Sequence, residues 1–123
     1  MKNLLPFLGL LLLGACNHDF THERYIENAS LDTFTVFNPD FKETVYTLYP
    51  GDKKLIYTFK NLDTQQEKEP CKWLGDTLII KTIHDSICTK PTSIEANWVS
   101  KLGGTEKARK QTCTFTIYVG DFD

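Results

Sequence analysis

Residues 112–119 read TCTFTIYV, and this stretch decides the fold class. Cys113, Phe115, Ile117 and Val119 fall on one side of an extended chain, and Thr112, Thr114, Thr116 and Tyr118 on the other. Side chains alternate between the two faces of a strand, so this period of two calls for one buried and one wetted face.

Working outward from this strand, the chain breaks into short segments separated by turn residues, as all-β domains do. Strands are predicted over Tyr25–Asn28, Asp32–Phe37, Glu43–Tyr49, Lys54–Lys60, Thr77–Ile83, Ile87–Thr89 and Ile94–Val99. Pro50-Gly51-Asp52 suits a tight reversal, and Asn38-Pro39-Asp40 and His84-Asp85-Ser86 mark further turns. In Lys54–Lys60, Leu55, Tyr57 and Phe59 share one face, with Ile56 the exception on the polar side. Residues 61–70 (NLDTQQEKEP) and 100–111, which hold Gly103-Gly104 and several basic residues, read as two long loops. About eight strands with no convincing helix predict a β-sandwich, with a small β-barrel as the alternative.

The start of the chain has another character. Leu4 to Cys16 reads LLPFLGLLLLGAC, preceded by Lys2. At ~1.5 Å per residue, this apolar run falls far short of the ~30 Å hydrocarbon core, so a transmembrane helix is not expected. A cationic start, an apolar middle and small residues at the exit describe a secretory signal. With Gly14-Ala15 directly before Cys16, the run resembles the lipobox of bacterial lipoproteins. That resemblance implies a signal peptide over 1–15, cleavage before Cys16 and acylation of its thiol. The expected layout is then a lipidated tether over 16–24 and a domain over 25–123. One acyl chain gives only marginal binding at ~0.8 kcal/mol per buried CH₂, whereas two or three, palmitate among them, anchor firmly. Asn17, rather than aspartate, follows the cysteine, which by the same resemblance favours the outer membrane.

Composition narrows the partners. The net charge of −2 lacks the basic footprint of nucleic-acid binding. Residues 16–123 suffice for one domain with a single core. Export places Cys71, Cys88 and Cys113 in a disulfide-permissive compartment, where an odd count allows one internal bridge and one thiol left over. In an antiparallel meander Cys88 and Cys113 lie toward one end of the sheet and Cys71 enters from the other. Cys88–Cys113 is therefore the favoured pair and Cys71–Cys88 the next.

The lipobox, the PGDKKLIYTF segment, the GDTLIIKT strand and the closing TFTIYVGDFD together resemble small lipoproteins of Bacteroidota. The resemblance implies an immunoglobulin-like antiparallel β-sandwich in the cell envelope and supplies no catalytic residue.

Chemistry-bearing side chains are few. His18, Asp19, His22 and Glu23 are metal-ligand types, but in a tether they lack the fixed partners a zinc site needs, so no metal or cofactor is expected. His84 lies four residues from Cys88, yet no third group orients the pair, so no catalytic residue is assigned. Lys101, Lys107, Arg109 and Lys110 crowd the segment before the last strand and suit an anionic partner. Trp98 shares a face with Ile94 and Ala96 and reads as core, while Trp73 is the better contact residue. Asn28-Ala29-Ser30 matches a glycosylation sequon of little meaning in a bacterial lipoprotein. The expectation is a non-catalytic envelope lipoprotein that binds or scaffolds an envelope protein or glycan. An enzyme inhibitor acting through a loop over 61–76 or 100–111 is the second reading, and a small hydrolase using His84 the third.

Overall fold

The computed structural model describes residues 19–40, 45–61, 70–73, 78–105 and 107–122. Among them are seven strands: β1 (Asp19–Asn28), β2 (Phe34–Phe37), β3 (Val45–Leu48), β4 (Lys53–Asn61), β5 (Ile79–Thr82), β6 (Val99–Gly104) and β7 (Ala108–Ile117). One sheet runs β4-β1-β7-β6 and the other β3-β2-β5. The protein is an all-β sandwich. The sheets stay separate, so the barrel alternative does not hold.

The core lies between the two inner faces. Ile26, Phe115 and Ile117 come from the larger sheet, and Phe34, Val36, Leu48 and Ile80 from the smaller. Cys113, Phe115 and Ile117 are fully buried, as the alternation requires, but Val119 has left the strand for a single 3-10 turn (Val119–Asp121) and is exposed. Trp98 is core, packed against Phe115 with ring centroids 5.3 Å apart.

One ladder departs from an antiparallel plan. β1 pairs antiparallel with β4 but parallel with β7, in register from Asp19↔Ala108 to Asn28↔Ile117. With both edges paired, β1 is one of the two inner strands of its sheet, and this corrects the tether expected over 16–24. Residues 19–24 are strand, with Phe20, His22 and Arg24 pointing inward and buried. The domain therefore begins at least six residues ahead of Tyr25. Residues 1–18, including the expected signal peptide, Cys16 and His18, lie outside the described residues.

Ile56 also finds its explanation. Arg24 opposes Tyr57 while Tyr25 opposes Leu55, so Ile56 is the extra residue of a β-bulge. The bulge turns Ile56 toward the core, against which it packs.

Asn28 ties the far end together. Its Nδ2 donates to the carbonyls of Asp32 (2.8 Å) and Leu48 (3.0 Å), and its Oδ1 accepts from the amide and hydroxyl of Ser30. The Tyr49–Asp52 turn closes beside it, with Gly51 at φ +90°, a conformation that favours glycine, and the Gly51 amide bonding the Asn28 carbonyl. This turn carries the chain from one sheet to the other.

Two further expectations are corrected. Ile94–Val99 is not a strand: Glu95–Asn97 form a 3-10 turn, Ile94 is exposed, and the Asn97 side chain bonds the Pro91 carbonyl at 2.9 Å. Residues 100–111 are not a loop but most of the β6–β7 hairpin, which closes tightly around Thr105–Ala108. The short strand expected at Ile87–Thr89 survives as isolated bridges, Lys81↔Ile87 and Cys88↔Phe122.

Candidate functional site

The inner face of β1 carries a polar lane where an apolar one would be ordinary. The His22 ring lies flat between Phe20 and Phe59, with centroid separations of 4.6 and 4.5 Å. His22 Nδ1 lies 2.8 Å from Gln111 Oε1, the residue directly across the ladder. Gln111 Nε2 donates to Ser100 Oγ at 3.2 Å and approaches Cys71 Sγ. Arg24 stacks over Phe59, 5.3 Å from the ring centre, while its Nε and Nη2 donate to the carbonyls of Lys72 and Pro70, each at 3.0 Å. All three side chains are buried, and burial of such groups demands partners. This lane is interior architecture.

The disulfide joins Cys71 to Cys113, with Cα atoms 5.6 Å apart, and Cys88 is the free thiol among the described residues. This corrects both pairings expected from the meander. The expectation set Cys113 at the opening of the last strand, but β7 begins at Ala108 and Cys113 lies in its middle, opposite Arg24, which draws residues 70–72 over β7 where Cys113 faces inward. Burial pushes the Cys88 thiol up, and its Sγ donates to the Lys90 carbonyl at 3.8 Å.

The basic residues singled out above gather on the β6–β7 hairpin, all exposed. Lys110 meets Glu23 across the ladder at 2.7 Å, and this hydrogen bond raises the lysine. Glu23 also accepts from Tyr25 Oη at 3.1 Å; partial burial first, and then this bond, raise the tyrosine. Lys60 approaches Asp19 at 4.0 Å. Lys101, Lys107 and Arg109 are exposed on this hairpin, as is Leu102.

Trp73 sits elsewhere. It is half-buried against the core, edge-on to Tyr57 at 5.9 Å, and its amide bonds the Thr92 carbonyl that also accepts from Trp98 Nε1. The fold thus separates Trp73 from the basic hairpin in role, as a packed residue rather than a free one. His84 is exposed on the turn after β5. Asp19 and Glu23 share one face of β1 and His22 lies on the other, and the described residues hold no group of three or more potential metal ligands. The sequence gives no direct notice that His22, Arg24 and Gln111 are buried. Their only signal is that they keep phase with Phe20, Ile26 and Cys113.

Comparison with protein-family models, with characterised proteins and with solved structures returns no match for this chain.

Proposed function

We propose that this chain is a lipid-anchored envelope protein whose β-sandwich binds or scaffolds other envelope components without catalysis. The observation that carries the reading is the run Leu4–Ala15 ending at Cys16, a signal with the form of a lipobox, placed just ahead of a sandwich that begins by Asp19. The Cys71–Cys113 bridge supports export, because such bonds persist in oxidising compartments. Asn17 after the cysteine favours the outer membrane. The non-catalytic side draws support from Cys88, whose burial keeps the thiol protonated, and from His84 on an exposed turn. The partner is an envelope protein or a glycan rather than nucleic acid.

Expression of the full chain and of Cys16→Ser in a bacterial host, followed by membrane fractionation and mass analysis of the N-terminal peptide, tests the anchor. The parent chain is expected in the membrane fraction with an acylated Cys16 at its terminus, and the variant in the soluble fraction. A Cys16→Ser chain equally membrane-bound and trimmed to the same mass would overturn it. Capture of an envelope component by the lipidated chain should survive His84→Ala; loss of an activity with that substitution would favour the hydrolase instead.

A further inference from the structure

Because β1 and β7 run parallel, Asp19 at the start of β1 lies beside Ala108 at the start of β7. The Asp19 amide donates to the Lys107 carbonyl at 3.0 Å. The point where the chain enters the sandwich and the tip of the β6–β7 hairpin therefore share one end of the larger sheet. Cys16 precedes Asp19 by three residues, which fully extended span at most about 11 Å. A lipid on Cys16 must enter the bilayer within that reach of the hairpin. The opposite end, where Asn28 meets the Tyr49–Asp52 turn, lies about 30 Å away along the nine steps of β1.

The charge at the near end has the matching sign. Lys110 and Lys60 are engaged by Glu23 and Asp19. Lys101, Lys107 and Arg109 remain exposed on the hairpin, against the single acid Glu106 of its sequence. The exposed Leu102, opposite Gln111, adds an apolar group to the same hairpin. Basic groups held close to an anionic leaflet are attracted to it over roughly a Debye length, about 8 Å at physiological salt. A lone acyl-anchored domain would tumble freely on its tether; a tether this short with cations beside it restricts that motion.

We propose that the β6–β7 hairpin rests on the membrane and that Lys101, Lys107 and Arg109 bind the phosphates of anionic phospholipids, holding the sandwich upright with the Tyr49–Asp52 turn pointing away. This rests on the reading that Cys16 is lipidated, and it adds a second, electrostatic membrane contact and a fixed orientation to that anchor.

The test places the full lipidated chain in phosphatidylcholine vesicles with and without phosphatidylglycerol and follows acetylation of each lysine by peptide mass. Lys107 and Lys101 should react several-fold more slowly, about fivefold, with phosphatidylglycerol present and recover at high salt. Lys53, opposite Glu27 at the far end, should react equally in both. In K107E/R109E, Lys101 should lose its dependence on vesicle charge while the chain stays membrane-bound through its lipid. An acylated Cys16 with Lys101 and Lys107 equally reactive in both vesicles overturns the hairpin contact and leaves the anchor standing. A chain without acylation at Cys16 overturns both. Protection in native membranes that is absent from phosphatidylglycerol vesicles overturns the lipid contact in favour of a protein or glycan partner.

Discussion

Arg24 and Cys113 face each other across the parallel β1–β7 ladder, and both hold the same four described residues, 70–73. Cys113 does so covalently through Cys71, and Arg24 through the carbonyls of Pro70 and Lys72. A covalent clasp and a buried cation thus fix one crossing over the sandwich. The guanidinium shares its side chain's other face with Phe59, so the clasp also ties β7 to β4 through β1.

Reduction of the bridge, which spans 42 residues, is expected to lower the unfolding free energy by about 4 kcal/mol in the chain-entropy account. Urea titrations with and without reductant measure it. Arg24→Leu is expected to cost roughly 2–4 kcal/mol, since two hydrogen bonds from a buried cation and its stacking on Phe59 are lost together. Because both restraints act on one segment, combined loss should depart from the sum by at least about 0.5 kcal/mol. Strict additivity would mean that the clasp and the cation act independently.

Asn28 is expected to be among the least replaceable side chains. It is fully buried and serves four hydrogen bonds that join the end of β1 to the Ser30–Asp32 bend and to Leu48 in the other sheet. Asn28→Ala should cost roughly 2–4 kcal/mol by thermal or urea unfolding. Asn28→Asp should cost more at neutral pH, because it sets a carboxylate against two carbonyl oxygens. An Asp variant as stable as the parent would show that the amide nitrogen contributes nothing.

The sandwich is legible in the sequence wherever inward positions are apolar, as at Cys113, Phe115 and Ile117, or at Phe34 and Val36. It fades where those positions are polar. His22, Arg24 and Gln111 read as solvated residues, and so half of β1 passes for a tether and the start of β7 for a loop. Their burial becomes tolerable only through partners as distant in sequence as the 89 residues between His22 and Gln111. No local pattern encodes such a pair. The disulfide is hidden for a related reason: with the polar residues 109–111 read as loop, Cys113 passes for the opening of the last strand, whereas it lies in the middle of β7. The basic residues were visible as a cluster, but their closeness to the chain's entry point follows only from the Asp19↔Ala108 register.

Cys88 should be the single thiol labelled after denaturation without reductant in a chain carrying Cys16→Ser. In the folded protein, burial raises this thiol, so alkylation at pH 8 should run at least about threefold slower than for an unstructured cysteine. The sign of the stability effect follows. Between the ordinary thiol range, about 8.5, and the raised folded value, the unfolded chain releases its proton first, so stability declines as pH rises. Unfolding titrations from pH 8 upward, compared with Cys88→Ala, isolate this contribution; identical pH profiles for the two chains would count against a buried, protonated thiol.

Gly103 and Gly104 are neighbours in sequence and opposites in consequence. Gly104 has φ +85°, and a Cβ there would fall onto the Ala108 carbonyl oxygen and lie 3.2 Å from the Arg109 Cα, whereas a Cβ at Gly103 meets nothing within 4 Å. Gly104→Ala is therefore expected to destabilise by roughly 1–3 kcal/mol. Gly103→Ala should stay within about 0.5 kcal/mol. At about 4–8 °C per kcal/mol for a domain of this size, thermal unfolding separates the two. The pair also probes the hairpin's role, since Gly104 shapes the turn that sets Lys107 beside Asp19. In phosphatidylglycerol vesicles Gly104→Ala should partly restore Lys107 acetylation while Gly103→Ala leaves it slow. Equal protection in both would mean that the cations reach the bilayer whatever the geometry of the turn that carries them.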